Sequence, residues 1–292
     1  MKISVVVTNW NGKALLKKNL ETIIKNSSQA QEIILADDAS SDDSLKYAKL
    51  IQKKYPKLKI ISHKKNLGFG ANTNDAINRS IGDLVVLLNN DIYPYPNYIF
   101  HSLKHFKNPK VLGVGFAESG HENWARFMWK GGYLQHEPGI TNIHKTHISG
   151  WVSGGSSIIR KTLFQKLGGF DSVYKPFYSE DLDIGYRAWK SGYTLLWEPK
   201  SIVEHHHEST ISKFSKSLLN YVKERNRLLN TLRLIDNPHM LRQNQLAQIG
   251  RVLSGPNYIK IIRAAKKQIK KSSPPIIFAK LTDNQIFKLF EK

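Results

Sequence analysis

The sequence predicts an α/β protein whose central sheet is mostly parallel and covered by helices on both faces. Three observations predict it. Short apolar, β-branched runs alternate with segments of helical spacing through the first third of the chain. Each run stops at a cluster of Asn, Asp or Gly, residues that open turns. The runs are continuously apolar instead of alternating, as strands buried on both faces are. In such sheets ligands sit beyond the carboxyl ends of the strands.

Residues 3–8 form the first run, closed by Asn9, Asn11 and Gly12, and Leu16, Leu20, Ile23 and Ile24 then follow a helical period. Residues 32–36 make a second strand ending in Asp37-Asp38, followed by a helix over residues 40–54 with Ser40 or Ser41 as its N-cap. Residues 58–62 are a third strand. After the turn Asn66-Leu67-Gly68-Phe69-Gly70 a helix is predicted near residues 71–80, and an apolar strand over residues 84–88 stops at Asn89-Asn90-Asp91. Topology therefore gathers Asn9, Asp38 and Asp91 at one sheet edge. Residues 111–117 are another strand. The segment from there to about residue 149 is predicted to be long and irregular, and it carries Trp124, Phe127, Trp129 and Tyr133. The remainder supplies a strand over residues 152–160, a helix opening at Lys161, the turn Gly168-Gly169-Phe170-Asp171, a helix starting near Glu180, and strands near residues 194–197 and 202–205.

From about Ser212 the character changes to helices, with Leu218, Val222, Leu229 and Leu232 at helical spacing. Residues 237–282 contain no Asp or Glu but nine Lys and Arg. The expected division is a globular unit of residues 1–211, with halves 1–117 and 118–211, and a basic helical extension over residues 212–292.

Composition narrows the function classes. Of 292 residues, 40% are hydrophobic and 23% charged, which fits a folded chain with a substantial core. No apolar run approaches the roughly 20 residues that span a bilayer, and the N-terminus lacks a signal-peptide pattern, so a cytoplasmic protein is expected. The absence of cysteine excludes disulfides, thiolate zinc sites and cysteine nucleophiles. A metal would be held by oxygen or imidazole. The net charge of +21 predicts an anionic partner: nucleic acid, a lipid surface or a phosphorylated substrate. Its concentration in the tail, with helical apolar spacing there, favours docking on an anionic membrane surface, or packing of Tyr258, Ile261 and Ile269 on the fold with the lysines solvated.

Four acidic or imidazole clusters could carry chemistry. Asp91 at a strand end is a turn former or a ligand for a hard divalent cation. Asp37-Asp38 could cap a helix or accept hydrogen bonds from a base or ribose. Glu180-Asp181-Leu182-Asp183 opens a helix, where acids answer the macrodipole, but three acids exceed what a cap needs, and one carboxylate could take a proton from an attacking hydroxyl. In His205-His206-His207, alternation puts His205 and His207 on one face, as a solvated tract or as metal ligands. Neither the glycine-lysine phosphate loop, the dinucleotide glycine fingerprint nor a Gly-x-Ser-x-Gly elbow occurs, which weighs against nucleotide triphosphatases and hydrolases.

Taken in order, Val5-Val6-Val7-Thr8-Asn9-Trp10-Asn11-Gly12, Ile34-Leu35-Ala36-Asp37-Asp38-Ala39-Ser40-Ser41-Asp42, Asn66-Leu67-Gly68-Phe69-Gly70 and Leu87-Leu88-Asn89-Asn90-Asp91 resemble the nucleotide-sugar half of family 2 glycosyltransferases. Trp151-Val152-Ser153-Gly154-Gly155-Ser156, Gly168-Gly169-Phe170-Asp171 and Phe177-Tyr178-Ser179-Glu180-Asp181-Leu182-Asp183-Ile184 resemble its acceptor half. The likeness runs over residues 2–210 and is greatest to rhamnosyl- and galactofuranosyl-transferases. It implies a GT-A nucleotide-sugar-binding fold and inverting transfer from a UDP- or dTDP-sugar to a hydroxyl of a glycan or lipid-linked acceptor in cell-surface polysaccharide synthesis. It implies that Thr8 and Asp38 hold the nucleoside with Asn9, Asp37 and Asn66 around them, and that Asn90 contacts ribose. It implies too that Asp91 binds Mn²⁺ or Mg²⁺ with His205 completing the shell. Asp181, with Glu180 beside it, becomes the catalytic base, and Trp151 and Gly154 meet the acceptor. One departure is that Asn89-Asn90-Asp91 has a single acid where many members have two. The rival readings are a catalytically silent nucleotide-sugar-binding module, which would lack the base, and a nucleic-acid-binding protein, for which no signature is present. The expected location is the cytoplasm, peripheral to the inner face of the membrane, and the sequence leaves a homo-oligomer open.

Overall fold

The computed structural model describes residues 1–119, 124–139, 143–205 and 214–291. Strands β1 (Ile3–Asn9), β2 (Glu32–Asp37), β3 (Leu58–Ser62) and β4 (Leu84–Asn89) run parallel in the order β3-β2-β1-β4. Helices α1 (Lys13–Asn26), α2 (Ser44–Lys54) and α3 (Phe69–Arg79) join them. Thr8 lies opposite Asn89 and Asn9 opposite Asp37, so the strands end level with one another. The chain passes from the β3 edge back over the sheet to β4, making the β1/β4 crevice a topological switch point, where open α/β sheets bind ligands.

The sheet continues as β4-β10-β6-β11-β5, with β5 (Ile92–Pro94), β6 (Val111–Glu118), β10 (Ser156–Arg160) and β11 (Thr194–His205). Strand β10 is antiparallel to both neighbours, β6 and β11 are parallel to each other, and β5 is an antiparallel edge. The short helix α4 (Phe100–Leu103) precedes β6, and α5 (Lys161–Lys166) and α6 (Glu180–Lys190) precede β11. Alternate strand residues feed two cores. Val5, Val7, Ile33 and Leu35 pack with Leu16 and Leu20 of α1, whereas Val6, Ile34 and Leu87 pack with Ala76 of α3 and Tyr186 of α6. Burial on both faces is why these strands read as continuous apolar runs.

Four sequence expectations are corrected. The segment expected to be irregular up to residue 149 contains a hairpin of β7 (Ala125–Lys130) and β8 (Tyr133–Pro138), plus the two-residue strand β9 (His147–Ile148). Its turn is Gly131-Gly132 with φ of +59° and +80°, the two-residue geometry that glycine adopts without strain. Helix α2 begins at Ser44 and not at residue 40, because Ser40 and Asp42 spend their side chains on turns: Ser40 Oγ donates to Asp37 Oδ2 at 2.6 Å and Asp42 Oδ1 accepts from Ser44 N at 3.0 Å. Strand β10 starts at Ser156, since Ser153, Gly154 and Gly155 turn along a cavity wall. The two late strands are one, β11, interrupted by a bulge between Glu198 and Ile202.

Helices α7 (Lys216–Leu234), α8 (Pro238–Ser254), α9 (Tyr258–Lys271) and α10 (Asp283–Leu289) follow. They are fastened to the sheet. Ile286, Phe287 and Phe290 join the core around Phe127, Tyr186 and Trp189. Buried Lys190 of α6 pairs with Asp283 at 3.0 Å and Asp236 at 2.7 Å, while Asp283 accepts from Tyr186 Oη at 2.7 Å. Tyr258 and Ala265 of α9 are buried beside Tyr133, Leu228 and Leu229, and Ile261, Ile262 and Ile269 pack there too. The boundary expected at residues 211/212, and His206 and His207, lie outside the described residues. Among the described residues no helix is long and apolar enough to cross a membrane.

Candidate active site

The carboxyl ends of β1, β2 and β4 open onto a cavity of about 400 Å³. Thr8, Asn9, Asp38, Asn66, Asn90 and Asp91 line it, and Gly154, Glu180 and Asp181 line it from the opposite wall. Residues expected from three separate strand ends therefore meet those of the Glu180 cluster. Both Asp38 carboxylate oxygens accept backbone N–H bonds, from Leu67 at 2.7 Å and Gly68 at 2.8 Å, and so hold the Asn66-Leu67-Gly68 turn as a wall of the cavity. Asn90 donates to Asn9 Oδ1 at 2.7 Å, and Thr8 Oγ1 donates to Asn89 Oδ1 at 3.2 Å. Gly12 makes room for this: a Cβ there would lie 2.1 Å from Asn90 Nδ2. Asp37 is not brought to the cavity. It is fully buried and accepts from Asn9 Nδ2 at 2.8 Å and Ser40 Oγ at 2.6 Å, bracing the residues that do line it.

Beside Asp91, His205 closes β11. Its Nε2 is 3.2 Å from Asp91 Oδ1, and its Nδ1 is 3.0 Å from Glu118 Oε2 at the end of β6. Ser156 Oγ donates to the other Glu118 oxygen. Burial alone would lower the imidazole pKa, but the hydrogen bonds to the two carboxylates outweigh it and raise it to about 9. Among the described residues no group of three or more such side chains could hold a metal ion. The donor set still fits a divalent cation of the Mn²⁺ or Mg²⁺ class, which takes one or two carboxylates and fills its shell from substrate phosphates. Asp91 and His205 would be its protein ligands, with Glu118 orienting the imidazole from behind.

Asp181 and Glu180 stand in the first turn of α6. The chain enters it through Tyr178 and Ser179 at φ of +70° and +81°, left-handed conformations that cost energy in residues with a Cβ and that cluster at functional sites. Asn226 of α7 holds this entry, its Nδ2 lying 3.1, 3.0 and 2.8 Å from the carbonyls of Tyr174, Phe177 and Tyr178. Desolvation pushes both carboxyls up, Asp181 to about 6, against backbone hydrogen bonds from Leu182 and Gly154 that lower it; Glu180 is raised further by the charge of Asp181. Asp183 takes no part: it is buried, accepts from Tyr174 Oη at 2.9 Å and Arg187 Nε at 2.7 Å, and through Arg187 braces the Gly168-Gly169 turn.

A second cavity of about 650 Å³ adjoins the first, and Ser153, Tyr178 and Asp181 line both. Trp151 and His205 border it, with Trp124, Trp197, His136 and Arg227. Among the described residues, Trp151 Nε1, Trp197 Nε1, Arg227 Nε and Asn230 Oδ1 have no hydrogen-bond partner. Flat aromatic faces with unspent polar groups suit a sugar, whose rings present C–H faces and hydroxyl rims.

Sequence reasoning missed Glu118, Asn226 and Arg227. Glu118 was within reach, being an acid at the carboxyl end of a strand like Asp91. Nothing in the sequence marks Asn226 and Arg227, which approach from a distant helix.

Known proteins share this sequence pattern and this fold. The model of Glycosyl transferase family 2 matches residues 4–168. An N-acetylglucosaminyl-diphospho-decaprenol L-rhamnosyltransferase of Mycobacterium tuberculosis (strain ATCC 25618 / H37Rv) is 24% identical over 242 residues, covering 70% of this chain and 76% of that protein. The crystal structure of GalNAc-T7 with UDP, GalNAc and Mn²⁺ superposes with a TM-score of 0.63 at 17% identity, over 85% of this chain and 54% of that one. That of S. aureus TarS 1-349 in complex with UDP-GlcNAc superposes at 0.59 and 15% identity, over 92% and 81%. The two superpositions show the fold.

Proposed function

Since the chain belongs to glycosyl transferase family 2 and is a glycosyltransferase with the GT-A fold, we propose that it moves a sugar with inversion from a UDP- or dTDP-sugar to a hydroxyl of a lipid-linked glycan. The observation that carries this reading is that Asp181 lines two adjoining cavities, one built from strand ends and carrying Asp38 and Asp91, the other walled by Trp124, Trp151 and Trp197. Donor in the first and acceptor in the second would put the base between them.

In this mechanism Thr8, Asp38 and the Asn66 turn cradle the nucleoside, and Asn90 faces the ribose. Asp91 and His205 would hold the divalent ion, which would supply positive charge against that growing on the diphosphate. The acceptor hydroxyl attacks the anomeric carbon as Asp181 takes its proton; the new C–O bond forms while the bond to the diphosphate oxygen breaks. General-base assistance of this kind contributes roughly 10² to 10⁴ in rate. Burial, which raises the Asp181 pKa, strengthens it as a base while leaving it ionised at neutral pH. The lipid-linked acceptor is supported by the decaprenol-linked substrate that the mycobacterial relative's name records, and the ion by the Mn²⁺ in GalNAc-T7. The enzyme would work at the cytoplasmic face of the membrane in cell-surface polysaccharide synthesis.

A screen of UDP-, dTDP- and GDP-sugars, reading nucleoside-diphosphate release with Mn²⁺ and lipid-linked acceptors, tests it. Release is expected from a UDP- or dTDP-sugar and should stop with chelator. If no donor is either bound or turned over, the chain is a silent member of the family.

A further inference from the structure

Helix α8 leaves Leu246, Ile249 and Leu253 exposed by 69%, 57% and 80%. At 100° per residue these three fall on one face, turned away from buried Asn244 and Gln248. On α9 the buried face carries Tyr258 and Ala265, and the opposite, exposed face carries Lys260, Arg263, Lys266, Lys267, Lys270 and Lys271 with no acid among them. Single exposed leucines need no explanation, but an ordered apolar stripe beside an acid-free basic face marks a contact surface.

The two helices flank one cavity. A groove of about 1060 Å³ runs between the β7-β8 hairpin and helices α7, α8 and α9, with Gly250 and Ser254 on its α8 side and Lys260 and Ile261 on its α9 side. Its floor is Tyr133, Tyr221 and Tyr258, and two arginines lie over tyrosine rings: Arg227 over Tyr133 at 4.3 Å and Arg251 over Tyr258 at 4.6 Å. Both share the single carboxylate of Glu224, so the charged groups lining the groove sum to a positive charge. Gln135 and Arg227 line this groove and also the aromatic cavity that reaches Asp181.

We propose that α8 and α9 dock this protein on an anionic lipid bilayer, α8 inserting Leu246, Ile249 and Leu253 and α9 laying its basic face on the headgroups, and that the groove between them admits the phosphate-bearing head of a lipid acceptor. Charge complementarity selects the occupant. A second copy of a chain with a net charge of +21 would meet repulsion at this face. A polyanion such as nucleic acid would engage the lysines but would leave the leucine stripe in water. An anionic bilayer satisfies both, apolar side chains entering the acyl boundary and cations resting at the headgroups. The docking surface stands independently of the transferase reading; the role of the groove rests on it.

Vesicle sedimentation of the whole protein, without donor, tests the surface. Binding is expected to vesicles containing phosphatidylserine or phosphatidylglycerol, to fall with added salt, and to be negligible on pure phosphatidylcholine. Each neutralised basic residue should cost about fivefold in partition, so Lys266, Lys267, Lys270 and Lys271→Gln together should nearly abolish it. Leu246, Ile249 and Leu253→Ser, at positions exposed enough to leave the fold intact, should weaken it at least tenfold with an unchanged circular dichroism spectrum. No binding to anionic vesicles, or the leucine variant binding as well as the parent, overturns the docking surface. For the groove the probe is farnesyl diphosphate, read by tryptophan fluorescence: Arg251→Gln should weaken it while UDP binding is unchanged. Equal binding of farnesyl diphosphate by both proteins overturns the groove assignment, whereas loss of UDP binding by the parent strikes the transferase reading instead.

Discussion

The wall of the site proposed for the donor is assembled from neighbouring strand ends, while the wall proposed for the acceptor is held in place from far along the chain. Thr8, Asn9 and Asp38 are placed by backbone pairing that puts Asn9 beside Asp37 and Thr8 beside Asn89, and their side chains mostly bond to one another or to the next loop. Asp181, by contrast, sits after the left-handed residues Tyr178 and Ser179, the first of which offers its carbonyl to Asn226, on a helix whose far end is tied to the tail through Lys190 and Asp283. The difference teaches that the tail helps hold the wall that carries Asp181, whatever else it does. A wall set by sheet topology survives local damage; one set by a few buried tethers should not.

The largest expected effect comes from cutting the deepest tether. Asp283→Ala leaves buried Lys190 with the exposed Asp236 and the Leu234 carbonyl as its partners among the described residues and strands Tyr186 Oη, so stability should fall by roughly 3 to 5 kcal/mol in denaturant melts. A fall below 1 kcal/mol would mean that the tail is not an integral part of the acceptor wall. Next, Glu118→Gln removes the carboxylate that orients His205 and should weaken Mn²⁺ binding, measured by calorimetry, about 10- to 100-fold. Unchanged Mn²⁺ affinity would detach Glu118 and His205 from the metal. Asn226→Ala withdraws one amide from three carbonyls and should cost about 1 to 3 kcal/mol of stability, with kcat falling more than donor affinity. Were donor affinity to fall as far as kcat, the two walls would not be separable.

The smallest effect is the pH profile. Because burial raises the Asp181 pKa to about 6, turnover should be flat above that pH and fall as acid protonates the base through it. The same shift has a stability signature. A carboxyl whose folded pKa lies above its unfolded value takes up a proton on folding, so its stabilising contribution is complete below the unfolded pKa and is lost as pH rises through about 6. Asp181→Asn should therefore melt higher than the parent at neutral pH and converge with it in acid; equal melting at both would show the carboxyl to be well solvated.

How much of this was legible in the sequence follows the same division. Apolar runs ending in Asn and Asp disclosed β1, β2 and β4 and the edge where Asn9, Asp38 and Asp91 gather, since parallel strands buried on both faces leave a local signature. The β7-β8 hairpin leaves one local signal, Gly131-Gly132 between two strand-like runs. Asp37 and Asp38 were indistinguishable, because which of two adjacent acids points inward depends on the pleat at the last strand residue. Asp183 looked like a third candidate base until its partner Arg187 and the Gly169 carbonyl were seen. Asn226 was invisible, as contacts 48 to 52 residues away in sequence leave no local pattern, and so was Arg227, whose ring contact is with the distant Tyr133.

The central claim is that Asp181 serves the acceptor and not the donor. Calorimetric titration of the active nucleotide-sugar into Asp181→Asn with Mn²⁺ present, set beside its turnover, tests it most directly. Donor affinity within about twofold of the parent, with transfer reduced roughly 10²- to 10⁴-fold, is the predicted result. Turnover near the parent's level, or loss of donor binding along with transfer, would contradict it.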